Sequence, residues 1–213
     1  MKYSSLTVVS LVLLSLSVSC ANPADNAPKA VISGTATPAI GARASGTRLV
    51  ITPSNSRIDF IGSKVTGSES GWFKQFSGLV ELVAENPVQS QVSIEIDMNS
   101  VATKSQGLDE HLKTADFFEV ARYPKATFVS TSIKSGSEAM GTHTVTGNLE
   151  LHGVQKAITF PATINVTADA VSVDSEFAIN RKDFGIVYAG KTNDLIRDEV
   201  VLKLTIKAGS AGL

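Results

Sequence analysis

Cysteine is almost missing from this 213-residue chain, which holds only Cys20. A single thiol builds no disulfide framework, so the small stapled folds of secreted proteins are excluded. Charge of one sign is not in excess either. The chain has 19 basic and 20 acidic residues, a formal net charge of −1, and lacks the basic footprint of a general nucleic-acid binder. Long apolar runs are absent after residue 18, and a transmembrane helix needs about 20 apolar residues. Aromatic hydroxyls are scarce, with three tyrosines and one tryptophan against nine phenylalanines. What is present is a 43% hydrophobic fraction with only 18% charge, too apolar for a disordered tail. At roughly 100 to 200 residues per domain, the length supports one core and hardly two.

The first residues carry Lys2, an apolar run over residues 8–18 broken only by serines, and then Ser19-Cys20. A basic start, a short apolar run and small residues at a break describe a secretory signal, assigned to residues 1–19. Val18-Ser19-Cys20 resembles the lipobox of bacterial lipoproteins, whose cysteine is acylated and becomes the first mature residue. Ser17 departs from that pattern, which prefers Leu there; Leu16 is one place early. Ordinary cleavage after Ala21, with Ser19 and Ala21 as the small pair, is the alternative and discards the cysteine. With acylation, the protein is exported and held on a membrane through Cys20, in the periplasm or at the cell surface. Ala21, rather than Asp, favours the outer membrane where one exists. One acyl chain anchors only marginally, at about 0.8 kcal/mol per buried CH₂, so stable attachment takes several. Residues 20–48 are then read as the lipidated cysteine and a flexible tether. They are rich in Ala, Pro, Gly, Ser and Thr, have no aromatic residue, and offer little apolar surface to offset chain entropy.

From Leu49 onward, period two dominates. Val92, Ile94, Ile96 and Met98 alternate with Ser93, Glu95 and Asp97. Ile158, Phe160, Ala162 and Ile164 oppose Thr159 and Thr163, and Val200, Leu202, Leu204 and Ile206 oppose Lys203 and Thr205. Repeated alternation of this kind means antiparallel strands with one wet and one dry face. About eight such strands, two of them with noisier patterns near residues 76–83 and 125–133, make an all-β sandwich or closed barrel. Leu108 and Leu112, spaced i and i+4 within residues 107–114, predict one short helix between strands, able to cap a barrel end. The inward parity carries Val, Ile, Leu and Phe with His143 as the ionisable exception, so any cavity is lined for an apolar molecule.

Four segments in order, GWFKQFSG (71–78), GLDEHLKTADFFEVARYPKATFVSTSI (107–133), VTGNLELHGVQKAITF (145–160) and INRKDFGIV with DEVVLKLTI (179–187, 198–206), resemble the YceI-like family of exported lipid- or polyisoprenoid-binding proteins. The resemblance spans Leu49 to Lys207. It implies an antiparallel, eight-stranded lipocalin-like barrel over residues 49–208, followed by a tail at 209–213, with a long isoprenoid, isoprenoid quinone or fatty-acyl chain in an apolar pore. Under that reading Phe60, Trp72, Phe76, Ile94, Ile96, Phe117, Phe118, Phe128, Leu149, Phe160, Phe177 and Phe184 are the candidate ligand contacts, each equally readable as plain core. The competing reading is a structural or interaction module whose barrel is filled by its own side chains.

His111, beside Asp109 and Glu110, and Arg181, in Asn180-Arg181-Lys182-Asp183, are candidates for the ligand's polar head. A guanidinium fork suits a phosphate or quinone oxygen, whereas the structural alternative pairs Arg181 with Asp183, Asp194 or Asp198. His111, His143 and His152 show no mutual metal-ligand spacing, and no nucleophile, base and orienting group assemble. The expectation is therefore no catalysis, no cofactor other than a bound lipid, no metal and no nucleic acid; protein partners stay unassigned.

Overall fold

The computed structural model describes residues 22–37, 46–137, 139–167 and 169–210. The signal segment and Cys20 lie outside the described residues. The strands are β1 (Val31–Ser33), β2 (Thr47–Ile51), β3 (Arg57–Lys64), β4 (Gly67–Phe73), β5 (Phe76–Leu82), β6 (Gln91–Asp97) and β7 (Val101–Thr103). Helix α1 (Gln106–Leu112) follows, then β8 (Lys125–Ser135), β9 (His143–Leu151), β10 (Val154–Val166), β11 (Ala170–Asn180), β12 (Gly190–Lys191), β13 (Asp194–Leu195) and β14 (Glu199–Gly209).

The main sheet closes on itself as an antiparallel barrel with eight strand positions. Three positions are each made of two strands in line. β2 and β3 share one edge of β14, through Val50↔Gly209 and Ile61↔Val201. β4 continues as β5 beyond Lys74 and Gln75, and β6 as β7 beyond a 3₁₀ turn at Met98–Ser100. The last two breaks are stapled together, because Ser100 Oγ accepts from the Gln75 N–H at 3.0 Å and donates to the Asp97 carbonyl at 2.6 Å. Around the ring each position pairs with the next in sequence, so the barrel is an up-and-down meander.

The noisy pattern of β8 has a local cause. A bulge shifts its register against β9 between Ser130 and Ser132, which inserts one residue and reverses the facing of those after it. Helix α1 starts at Ser105, whose hydroxyl accepts from the Leu108 N–H, as an N-cap does. Asp109 turns back to accept from Thr103 N–H at 2.6 Å and Thr103 Oγ1 at 2.7 Å, which ties the helix to β7. Residues 113–124 then cross one end of the barrel to reach β8. We call this the helical end; the other, closed by the β8–β9 and β10–β11 connections, is the turn end.

The expected tether needs correction. Within residues 22–37 the chain forms a 3₁₀ turn at Pro23–Asp25 and strand β1. β10 and β11 pair only over Thr163–Val166 and Val171–Asp174, and β1 fills the split below. It pairs antiparallel with Ala157, Ile158 and Thr159 of β10 and meets β11 through Lys29 and Ala178. Ala30 and Ile32 pack onto the barrel core. Ahead of β1, Ala24 and Ala27 lie on the outer wall against Ala178, Val201 and Ile61. Small residues make this possible, since alanine costs no side-chain entropy on burial and lets the backbones approach. Thr47 and Arg48 also belong to β2, and Gly209 to β14, where it pairs with Ala170 and Val50; neither is tether or tail.

Candidate functional site

The barrel encloses a cavity of about 240 Å³ whose exposed wall carries no polar surface. Well-packed interiors leave few voids larger than a water molecule, so this is a built space. It reaches Phe117, Phe118, Ile186 and Ile196 at the helical end and Val92, Val166 and Val171 at the turn end.

Phenylalanines shape it in two groups. Phe60, Phe73 and Phe118 meet near the helical end with ring centroids 5.7, 6.5 and 6.2 Å apart. Farther along, Phe160 stacks on Phe177 at 4.2 Å and touches Phe128 at 5.7 Å. These are the offset and tilted arrangements that aromatic quadrupoles favour. Two strand glycines give the rings room. A Cβ at Gly71 would collide with the Phe60 ring, and one at Gly147 with the Phe128 ring. The rings therefore approach bare backbone that any larger residue would block, a use of strand glycine at a close approach.

Of the twelve apolar candidates, nine line the cavity: Phe60, Ile94, Ile96, Phe117, Phe118, Phe128, Leu149, Phe160 and Phe177. Trp72 does not. Its strand neighbours Gly71 and Phe73 face inward, so alternation turns Trp72 outward opposite Ala102. Phe73 lines the wall instead, and strand parity with Gly71 was the signal that could have found it. Phe76 and Phe184 are buried in the core, away from the cavity wall.

The polar candidates separate. His111 Nε2–H donates to Asp116 Oδ2 at 2.8 Å, and its ring sits edge-on to Phe117 and Tyr188 at 5.1 and 5.4 Å. It stands outside the cavity wall and fixes the loop that carries Phe117. Arg181 does line the cavity, but its donors point away from it. Nη1 donates to the Ile186 carbonyl at 2.7 Å, Nε to that of Arg197 at 3.1 Å, and Nη2 to that of Ile196 at 3.4 Å. Asp198 Oδ1 lies 3.5 Å from Nη2. Burial pushes the guanidinium below the ordinary arginine value, with Asp198 opposing that push. Arg181 thus satisfies the chain segment around β12 and β13, the structural alternative with Asp198 as partner.

His152 escaped the sequence reading beyond its place in a turn. Nδ1–H donates to the Phe184 carbonyl at 3.2 Å, and Nε2 is the one buried side-chain polar atom without a hydrogen-bond partner among the described residues. Glu119 Oε2 stands 3.7 Å from it. Both residues have positive φ, 53° and 44°, a conformation uncommon outside glycine. They join the β9–β10 turn to the loop after α1. Among the described residues, no three His, Cys, Asp or Glu side chains gather in a way that could hold a metal ion.

Comparison with known proteins agrees with this architecture. A UPF0312 protein of Pseudomonas putida is 36% identical over 132 residues, covering 59% of this chain and 68% of that protein. Among solved structures, Burkholderia cenocepacia BcnA matches with a TM-score of 0.66 at 24% identity, over 74% of this chain and 98% of that one. A polyisoprenoid binding domain from Saccharophagus degradans, implicated in plant cell wall breakdown, matches with a TM-score of 0.60 at 18% identity, over 77% and 98%. At those identities the two structures share the fold. The YceI-like domain model matches residues 49–208, and with the closed eight-position barrel this establishes that the chain belongs to the YceI-like family.

Proposed function

We propose that this protein is an exported, membrane-anchored binding protein that sequesters a long-chain apolar molecule, an isoprenoid or fatty-acyl chain, inside the barrel. The observation that carries the reading is the cavity itself, with a wall free of polar surface that continues from Phe117 to Val166. Removing apolar surface from water contributes about 25 cal/mol per Å², and the wall asks for no hydrogen bond in return. The fold it shares with a polyisoprenoid binding domain supports the same ligand class. Export and anchoring rest on the sequence around Cys20.

A filled, purely structural barrel is the weaker reading, because its interior leaves about 240 Å³ unfilled by its own side chains. The test is mass spectrometry of an organic extract of the protein purified from its native membrane, with an isoprenoid or acyl species expected. Leu149→Trp, which places bulk in the cavity, is expected to lose that species while keeping its unfolding free energy, read by urea titration, within about 3 kcal/mol of the parent. An empty extract from both proteins would overturn the proposal.

A further inference from the structure

Correction of the tether changes where the barrel sits. The anchor reading places lipid on Cys20, two residues before Asn22, which is buried. Two residues reach about 7 Å at most. The chain that follows lies on Ala178, Val201 and Ile61, each two or three residues from the helical end of its strand. The lipid-bearing residue is therefore leashed closely to that end and has no slack to reach the turn end.

The helical end has the surface such a position calls for. Val187 is 64% exposed, Val65 55% and Leu195 49%. Val65 and Leu195 are joined by a backbone hydrogen bond of 3.1 Å from the Val65 N–H to the Leu195 carbonyl. Val187 and Leu195 each neighbour a residue of the cavity wall, Ile186 and Ile196. Tyr188, half-buried beside Val187, has the amphipathic ring that favours a membrane interface. Several charges nearby pair with one another: Lys64 with Asp194 at 2.6 Å, Lys182 with Asp198 at 2.9 Å and Lys29 with Glu199 at 3.1 Å. That leaves an apolar rim among mostly paired charges, with Lys191 in the β12–β13 hairpin as an exposed cation outside those pairs.

We infer that the helical end is a membrane-docking surface, with Val65, Val187 and Leu195 seated against the bilayer so that one end of the cavity faces the lipid. The inference rests on acylation of Cys20, and the experiment separates the two. The full chain carrying Val187→Cys or Met140→Cys, the latter at the turn end, is purified from membranes, labelled with an environment-sensitive dye and placed in phosphatidylcholine vesicles with brominated acyl chains. Intact mass first reports acylation. Quenching at position 187 is expected to exceed that at 140 several-fold, and to persist when salt rises from about 0.1 to about 1 M, which shortens the screening length from about 10 to about 3 Å. Ten Gly/Ser residues inserted between Ala21 and Asn22 are expected to reduce quenching at 187 because they lengthen the leash. Acylated protein with equal or weaker quenching at 187 than at 140, or with docking lost in high salt, overturns the docking surface alone. Absence of acyl mass overturns the anchor and the docking together.

Discussion

At the turn end, single connections join β5 to β6, β8 to β9 and β10 to β11, and the cavity wall there includes Val92, Val166 and Val171. At the helical end, the chain spends residues 98–124 and 181–198 on a helix, 3₁₀ turns, three short strands and a loop that crosses the opening. The first end is held mostly by the ladder itself. The second is held also by side chains that tie its irregular segments together: Arg181 on the carbonyls of Ile186, Ile196 and Arg197, Asp109 on Thr103, and Asp194 on Lys64 and Thr66. A closed meander supplies the turn end with its bonds at no extra cost in composition. The helical end departs from that regular pattern, and specific polar residues must replace what the ladder no longer gives.

Substitutions at matched places sharpen this contrast. The largest effect is expected from Arg181→Met, which leaves three carbonyls without their donor; about 3 to 5 kcal/mol of stability should be lost, read from the urea midpoint. At the turn end, Thr142 Oγ1 accepts from the Ile164 N–H at 3.0 Å, and Thr142→Val should cost only about 1 kcal/mol. Equal losses at the two sites would break the comparison. The smallest effect concerns pH. Hydrogen bonds from Lys64 and Thr66 hold the Asp194 carboxyl below its ordinary value. A carboxyl whose pKa is depressed by folding stabilises above its unfolded value, about 3.9, and loses that contribution as pH falls through the folded value. Asp194→Asn should therefore lower the urea midpoint at pH 7 and differ less and less from the parent as the folded value is passed. The pair is solvated, so the difference should be small.

The same contrast explains what could be read in the sequence. Period-two alternation made the strands of the meander legible, and the YceI-like resemblance supplied closure. Nine of the twelve apolar candidates line the cavity, Phe117 and Phe118 from the loop after α1 and the other seven from strands. Trp72 falls on the outward parity of its own strand, between inward-facing Gly71 and Phe73. Breaks within strands were not legible, because the chain resumes the same sheet position with a new register, as at Ser100 and at the β8 bulge. The ordered residues 22–37 were hidden by composition: alanines, glycine and proline look like linker until a neighbouring surface is known. His152 needed the turn conformation and the approach of Glu119, which no local pattern encodes.

Strand β1 has one more consequence. The match to the family begins at residue 49, so a protein trimmed to those bounds loses the strand that fills the split between β10 and β11. The backbone of Ala157, Ile158 and Thr159, now paired with β1, becomes an open edge backed by the stacked Phe160 and Phe177. Unpaired edges of this kind recruit strands from other chains. The shortened protein then has a route to strand exchange between copies, and its self-association reflects the trimming rather than the native assembly.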